Sequence, residues 1–240
     1  MATYVLVHGA HHGGWCWTHV ANYLRRAGHS VFTPTQTGLA DRRHLMSRDI
    51  TMEIFVLDVV HLIDCYELTD VVLVGHSFGG RTVTGVADRR PGALRHLCYL
   101  DAGIPVGGAS RLESLTPEQR DARIAAAEAF DGGISVPPPS ATRYGLTDPV
   151  QVAWVDRRLT PQPLSVERSR LDLAHEIGNG VPTTYVKLRD ERFGGGMLGS
   201  DDYARSRPDW TYREVEGAHD VMVSSPRLVA ELLDGLAEAR

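Results

Sequence analysis

The stretch VVLVGHSFGGRTVTGVADRRP, residues 71–91, contains an apolar run, a serine between glycines and a segment of helical character. Gly75, Ser77 and Gly79 form a Gly-x-Ser-x-Gly pattern between the predicted strand and the predicted helix. In a nucleophile elbow, this pattern places a serine hydroxyl on a sharp strand-to-helix turn above the carboxyl edge of a sheet. Glycine at the flanking positions removes side chains that would clash in such a turn. The stretch therefore predicts Ser77 as a catalytic nucleophile.

Short apolar segments recur along the chain and alternate with segments of helical spacing. Several of them are apolar without alternation, which is typical of parallel strands buried on both faces. The predicted strands are Tyr4–Val7, Val31–Phe32, Val71–Val74, Leu97–Leu100, Thr183–Leu188 and Trp210–Val215. Strands that alternate with helices indicate an α/β fold with a mostly parallel sheet and helices on both faces.

The alternation stops between the fourth and the fifth predicted strands. Thr116–Gln119 has the form of a capping box that begins a helix, and Asp148 precedes a second helix start. We therefore predict a core of residues 1–103 and 181–240 and a helical lid insertion of residues 104–180. An insertion at the carboxyl end of a strand lies over the crevice where such sheets bind ligands. The lid is accordingly expected to cover the site.

A serine nucleophile needs a base and an acid that orients the base, and in this architecture the chain order is serine, acid, histidine. His219 follows the last predicted strand, at the sheet edge where the elbow is expected, and is the predicted base. Asp101 and Asp190 each follow a strand at that edge, and both fit the chain order. The residues alone leave the choice between these two carboxylates open.

The loop after the first predicted strand, His8–Gly14, is rich in glycine and histidine. An oxyanion hole in this architecture combines the N–H of the residue after the nucleophile with an N–H from this loop, which predicts Phe78 and Ala10 as donors. The loop histidines lack partnering carboxylates, so no metal site is predicted. The candidates for lining a substrate pocket are Trp15, Trp17 and Trp154.

Composition narrows the class of function. The net charge is −5 without a basic tail or stripe, which argues against nucleic-acid binding. No apolar run reaches the roughly 20 residues of a spanning helix. The apolar stretch Tyr4–Val7 is interpreted as a strand, so no signal peptide is predicted. Cys16, Cys65 and Cys98 are scattered, which argues against a disulfide framework or a zinc site. We expect a cytoplasmic monomer or homodimer that acts on a small molecule, with no nucleic-acid or membrane partner.

With these residues assigned, the chain resembles the α/β-hydrolase superfamily, and within it the branch of plant methyl-ester esterases, such as the salicylate-binding methylesterases, and hydroxynitrile lyases. The stretches that carry the resemblance are LVHGAHHGGWCW (6–17), VLVGHSFGG (72–80), YLDAGIP (99–105) and EGAHDVMVSSP (216–226). The resemblance implies an α/β-hydrolase fold and no cofactor. It also implies a catalytic acid after the strand that precedes the last one, which favours Asp190 and leaves Asp101 as the alternative.

The resemblance also separates activities within the branch. Hydroxynitrile lyases carry a threonine at the position of Gly9 and a lysine at the position of Asp220. The lysine stabilises departing cyanide, whereas an aspartate would repel it, so cyanohydrin cleavage is not expected. A serine at the elbow likewise disfavours haloalkane dehalogenase and epoxide hydrolase chemistry, which uses aspartate there.

The expected function is therefore that of a serine hydrolase that cleaves a small carboxylic ester or lactone through an acyl-enzyme. Three alternatives on the same fold remain open. They are a biosynthetic-pathway thioesterase or cyclase, a cofactor-free oxygenase, and a hydrolase-like ligand-binding protein.

Overall fold

A six-stranded parallel sheet forms the centre of the computed structural model, which describes residues 1–189 and 199–238. In chain order the strands are β1 (Thr3–Val7), β2 (Ser30–Phe32), β3 (Val71–His76), β4 (Leu94–Leu100), β5 (Ser135–Val136), β6 (Gln162–Pro163), β7 (Thr183–Arg189) and β8 (Trp210–Glu216). The sheet order is β2-β1-β3-β4-β7-β8, and each adjacent pair is parallel. The six strands predicted from the sequence are confirmed.

Helices pack on both faces of this sheet. In chain order they are α1 (Thr18–Arg26), α2 (Met52–Cys65), α3 (Gly79–Arg89), α4 (Pro117–Asp131), α5 (Pro149–Asp156), α6 (Leu164–Arg168), α7 (Ser200–Ser206), α8 (Val221–Ser224) and α9 (Pro226–Glu238). Within the part of the chain that the structure describes, no helix has both the length and the apolar character needed to cross a bilayer.

Alternate side chains of each central strand enter two separate cores. Val5 and Leu73 face one core together with α2 and α3, whereas Leu6 and Val74 face the other with α1 and α9. Both faces of the sheet are therefore covered, which explains why these strands are apolar without alternation. The predicted α/β-hydrolase fold, with helices on both faces, is confirmed.

The chain between β4 and β7 contains α4, α5 and α6 and the antiparallel pair of β5 and β6. Thr116 and Gln119 form the capping box that begins α4, as predicted. The side chain of Asp148 accepts hydrogen bonds from the first turn of α5, which satisfies N–H groups that the helix leaves unpaired.

This insertion is attached to the core on two sides of the elbow. Arg81, on α3, donates to the carbonyl oxygen of Ala109 at 2.5 Å and to Oγ of Ser114 at 2.8 Å. On the other side, the N–H of Thr160 donates to the carbonyl oxygen of His11 at 2.9 Å. The insertion therefore contacts both the helix behind Ser77 and the loop after β1, and its role as a lid stays a prediction.

Candidate active site

Ser77 lies on the sharp turn between β3 and α3. Its φ angle is +53°, in the left-handed region, and such a backbone in a residue other than glycine costs about 1–3 kcal/mol. Two bonds hold the turn: the N–H of Ser77 donates to the carbonyl oxygen of Leu100 at 3.3 Å, and the N–H of Gly103 donates to the carbonyl oxygen of Ser77 at 2.8 Å. The half-buried Ser77 thus has the strained backbone expected of an elbow.

Close backbone approach explains the glycines on either side of the serine. A Cβ atom at Gly75 would lie 2.8 Å from the carbonyl oxygen of Gly79. A Cβ atom at Gly79 would lie 2.6 Å from the carbonyl oxygen of His8. Neither position has room for a side chain, because α3 packs against the end of β3 at Gly75 and the start of the loop after β1 packs against the elbow at Gly79.

The buried residue His219 lies between β8 and α8, at the same edge of the sheet as Ser77. Its Nδ1 atom is 2.7 Å from Oδ2 of Asp101, and the side chains of both residues are almost completely buried, at 1% and 3% exposed. The ring centroid of His219 lies 4.6 Å from that of His76, the residue before Ser77. The structure therefore brings a buried histidine–aspartate pair next to the elbow.

Asp101 directly follows β4 and has a left-handed backbone, with φ +42°. Its Oδ1 atom accepts a hydrogen bond from the N–H of Leu188 at 3.4 Å and lies 3.6 Å from Nζ of Lys187, the only lysine in the chain. Burial opposes ionisation of Asp101, but the hydrogen bond with His219 and the charges of His219 and Lys187 lower its pKa below the ordinary value. Asp101 is therefore an ionised partner for the imidazole.

Asp190, which the family resemblance favoured as the acid, lies outside the described residues. The carboxylate bonded to Nδ1 of His219 belongs to Asp101, the alternative. β4 lies between β3 and β7, so Asp101 follows the strand adjacent to the one that carries Ser77. Both aspartates satisfy the chain order, and the position of β4 in the sheet was not visible in the sequence.

Ala10 and Phe78, the predicted oxyanion-hole residues, belong to the two segments that pack against each other. A Cβ atom at Gly9, next to Ala10, would lie 2.8 Å from Cβ of Ser77. Neither the N–H of Ala10 nor that of Phe78 donates a hydrogen bond to another residue in the ranges 1–189 and 199–238. Both N–H groups are therefore without an acceptor in the described part of the chain.

The histidines around the elbow have structural hydrogen bonds that the sequence did not reveal. His76 donates from Nε2 to the carbonyl oxygen of His219 at 2.9 Å, so it fixes the backbone of the candidate base. His8 accepts from the N–H of Gln36 at Nε2, and the Nδ1 atom of His11 donates to the carbonyl oxygen of Thr160. Burial lowers the pKa of His8 to about 4 and those of His11 and His76 to about 3, so all three are neutral at pH 7.

His12 forms a second buried histidine–aspartate pair, with Asp220. Its Nε2 atom lies 3.1 Å from Oδ2 of Asp220, and its Nδ1 atom lies 2.8 Å from the carbonyl oxygen of Ala10. No local pattern in the sequence indicates this pair, because 208 residues separate its members. In residues 1–189 and 199–238, no group of three or more metal-binding side chains is arranged to hold an ion.

The three tryptophans have different positions. Trp17 has no exposed surface and packs in the core in a T-shaped arrangement with His76, so it presents nothing to a ligand. Trp15 and Trp154 are half-buried and form a T-shaped pair with ring centroids 5.1 Å apart. This pair joins the 3-10 helix Gly14–Trp17 to α5 of the insertion and remains a candidate for lining a pocket.

Tyr144 is a site residue that sequence reasoning missed. It lies in the 3-10 helix Ala141–Tyr144 of the insertion between β4 and β7, and its ring centroid is 6.1 Å from that of His219 and 5.2 Å from that of His12. Its carbonyl oxygen accepts a hydrogen bond from the N–H of Asp220 at 3.1 Å. The insertion therefore reaches the neighbourhood of the candidate base, although no motif in its sequence indicated this.

The fold and this arrangement of residues define the chain as an α/β hydrolase, and it belongs to the alpha/beta hydrolase family, which matches residues 4–232. A carbendazim hydrolyzing esterase of Nocardioides sp. (strain SG-4G) is 39% identical over 98% of this chain and 100% of its own length. Methyl jasmonate esterase 1 of Vitis vinifera is 30% identical over 67% of each chain. The expected branch, and the expectation of an enzyme of the carboxylic-ester hydrolase class, are confirmed.

Among solved structures, an extracellular α/β-hydrolase from a Paenibacillus species is similar to this chain. It has a TM-score of 0.86 and 24% identity, with 100% of both chains covered. That protein is described as sharing structural and functional homology with tobacco salicylic acid binding protein 2. At this identity the likeness establishes the fold.

Proposed function

We propose that the protein is a serine esterase that cleaves small carboxylic esters through an acyl-enzyme. In this proposal Ser77 is the nucleophile, His219 is the general base and Asp101 is the acid. The observation that carries the proposal is the 2.7 Å hydrogen bond between His219 and Asp101. The imidazole ring of His219 also packs against His76, the residue before Ser77. A serine hydroxyl is activated when a base takes its proton and a third group orients that base.

The tautomer of His219 follows from its contact with Asp101. Because the carboxylate accepts a hydrogen bond, Nδ1 of His219 carries the proton and Nε2 is the basic nitrogen. Nε2 takes the proton of Ser77 as Oγ attacks the ester carbonyl carbon. The same proton then goes to the leaving alcohol as the C–O bond breaks, and His219 next deprotonates the water that releases the acid.

The negative charge that develops on the carbonyl oxygen needs hydrogen-bond donors. The N–H groups of Ala10 and Phe78 have no acceptor among the described residues, and they lie on segments in contact around Ser77. Removing one oxyanion donor typically costs about 3–4 kcal/mol of transition-state stabilisation. The carboxylate of Asp101 stabilises the imidazolium that forms in the same step.

The relatives support small esters as the substrate class. The Nocardioides relative is a carbendazim hydrolyzing esterase and the grapevine relative is a methyl jasmonate esterase, so methyl esters are the first candidates. Trp154 and Tyr144 of the lid, together with Trp15, would supply an aromatic wall. Lactones stay within the proposal because the same acyl-enzyme opens them. The cytoplasmic location and the monomeric or homodimeric state stay predictions.

Two observations argue against cyanohydrin cleavage. A Cβ atom at Gly9 would lie 2.8 Å from Cβ of Ser77, so the threonine of hydroxynitrile lyases does not fit there. Asp220 is a fully buried acid paired with His12, at the position where those enzymes carry a lysine. Asp220 therefore offers no positive charge to stabilise departing cyanide.

A substrate panel tests the proposal. p-Nitrophenyl acetate, methyl salicylate, methyl jasmonate, carbendazim, a γ-lactone and an acyl thioester are assayed with wild type and with Ser77→Ala, which serves as the matched inactive control. We expect turnover of at least one oxygen ester by wild type and none by the variant. Turnover of the thioester alone, or fluorophosphonate labelling of Ser77 without turnover of any ester, would contradict the proposal. Retained turnover by Ser77→Ala would contradict the elbow mechanism.

A further inference from the structure

The hydrogen bonds of His12 determine its protonation state. Nδ1 lies 2.8 Å from the carbonyl oxygen of Ala10, and Nε2 lies 3.1 Å from a carboxylate oxygen of Asp220. A carbonyl and an ionised carboxylate can only accept hydrogen bonds, so each ring nitrogen must donate one. A neutral imidazole has a single N–H and can make one of these bonds. His12 is therefore an imidazolium when both bonds are present.

The environment of the pair favours the two charges together. His12 is 1% exposed and Asp220 is 0% exposed. Burial opposes protonation of His12, but the charge of Asp220 and the hydrogen bonds to Asp220 and Ala10 raise its pKa overall. Burial likewise opposes ionisation of Asp220, but His12 lowers its pKa overall. Because Oδ1 of Asp220 has no hydrogen-bond partner among the described residues, the buried carboxylate depends on His12.

Several titratable groups face the pair from the elements packed around it. They are His8 and His11 in the loop after β1, Cys16 in the 3-10 helix after that loop, His76 at the elbow, Tyr144 in the lid and His219 beside Asp220. His8, His11 and His76 are neutral at pH 7 because burial lowers their pKa values. Burial also raises the pKa values of the Cys16 thiol and the Tyr144 hydroxyl, which keeps both uncharged.

The two ends of the pair lie on the two segments that the proposed reaction needs. His12 bonds the carbonyl group of Ala10, whose N–H is the proposed oxyanion donor. Asp220 follows His219, the proposed base, and its own N–H is bonded to the lid at Tyr144. A single ion pair thus connects the oxyanion loop, the base and the lid.

We propose that the His12–Asp220 ion pair is a positioning device, in which imidazolium His12 fixes the Ala10 backbone and Asp220 fixes the loop of His219. The inference rests on the proposed esterase function. His12 and Asp220 are positioning residues, because neither needs to touch the reacting atoms. Loss of the His12 proton breaks one of its two hydrogen bonds and leaves the buried carboxylate without a counter-ion. Ester hydrolysis should then fall at alkaline pH.

The test compares His12→Gln, Asp220→Asn and wild type. Values of kcat and KM for p-nitrophenyl acetate are measured from pH 6 to 9.5, and active enzyme is counted by fluorophosphonate labelling. We expect Asp220→Asn to move the alkaline fall of kcat to lower pH, and His12→Gln to remove that fall. In both variants we also expect kcat to fall by roughly 10- to 100-fold, with KM changed less. This loss is smaller than the roughly 10²–10³-fold cost of removing an oxyanion donor outright, because the donor is displaced and not removed.

The matched control is His29→Gln. His29 forms a histidine–aspartate pair remote from the elbow, with Nε2 2.9 Å from Oδ1 of Asp234, and it packs against Tyr4. Its Nδ1 accepts a hydrogen bond from the N–H of Ala2, so the pair lacks the two donated bonds of His12. We expect its pH profile and kcat to match those of wild type. An alkaline fall that stays unchanged in both site variants would overturn the inference. So would normal kcat per labelled site, because that would show a purely structural role.

A second readout separates this inference from the proposed function. In protein labelled with ¹⁵N-histidine, we expect both ring nitrogens of His12 to be protonated at pH 7 and to titrate at lower pH in Asp220→Asn. A neutral His12 at pH 7 would overturn the inference, whether or not the protein hydrolyses any ester. If no ester is hydrolysed but His12 is charged, the proposed function fails and the positioning role fails with it, whereas the ion pair is retained.

Discussion

Nδ1 of His219 lies 2.7 Å from Oδ2 of Asp101, although β8 and β4, which position the two residues, are separated in the sheet by β7. Both side chains are almost completely buried, and burial in a medium of low dielectric constant strengthens a charge-assisted hydrogen bond. The carboxylate retains its charge because the hydrogen bond from His219 and the charges of His219 and Lys187 outweigh the cost of its burial. The proposed assignment of Asp101 as the acid rests on this contact.

We therefore expect Asp101→Asn and Asp190→Asn to differ sharply. In Asp101→Asn the amide can favour the wrong tautomer of His219, and kcat/KM should fall by roughly a thousand- to ten-thousand-fold. Asp190→Asn is the matched control and should retain most of the activity. Steady-state kinetics on one oxygen ester would check both variants. A severe loss in Asp190→Asn with near-normal Asp101→Asn would return the acid assignment to Asp190.

The difference between these two aspartates also shows where sequence reasoning ends. The strands were predictable because buried parallel strands are apolar throughout, and the starts of α4 and α5 were predictable because Thr116 and Asp148 are strong N-caps. The choice of acid depends on which carboxylate the fold brings against the imidazole. That geometry is not encoded in spacing along the chain, because both aspartates follow strands of one sheet.

Contacts across long separations were equally invisible in the sequence. His12 and Asp220 each belong to a stretch that carries the family resemblance, but nothing local indicates that they pair. The same holds for Tyr144, whose lid segment has no motif and whose ring packs near His219. Trp17 shows the converse case, since its place in the loop motif suggested a pocket and the structure buries it completely.

Replacing Ser77 should inactivate the protein, and glycine should leave it more stable than alanine does. Ser77 has φ +53°, a conformation that glycine adopts at little cost and alanine does not. Ser77→Gly should therefore be more stable than Ser77→Ala by about 1 kcal/mol, or about 2–4 °C in Tm for a chain of this size. Thermal unfolding and ester hydrolysis of the two variants would check this. Equal Tm values would indicate that the turn at Ser77 is not strained.

Acid should destabilise the protein through its buried neutral histidines. Burial lowers the pKa of His8 to about 4 and those of His11 and His76 to about 3, whereas an unfolded histidine titrates near 6.5. Between these values the unfolded chain binds more protons, so the free energy of unfolding falls as pH falls. At pH 5 each of these histidines should have lowered the free energy of unfolding by about 2 kcal/mol.

Urea denaturation at pH 7 and pH 5 would measure this loss. We expect a smaller loss in His11→Gln, because one buried histidine has been removed, and an unchanged loss in the control His44→Gln, because His44 is exposed. His12 acts in the opposite sense: its raised pKa stabilises the fold below pH 6.5, and this contribution is lost as pH rises through the folded value. Equal losses in His11→Gln and wild type would contradict the assignment of His11 as neutral in the folded protein.

The lack of space for a side chain at Gly9 should make any larger residue there harmful to catalysis. A Cβ atom there would lie 2.8 Å from Cβ of Ser77 and 3.3 Å from its Oγ, so Gly9→Ala must displace the elbow or the oxyanion loop. A displacement of about 1 Å in a catalytic constellation can cost about 100-fold in rate, and we expect a loss of that order in kcat/KM. Gly92→Ala is the matched control, because a Cβ atom at Gly92 meets nothing within 4 Å. Near-normal hydrolysis by Gly9→Ala would show that the loop yields easily, and the steric argument against a threonine at this position would then fail.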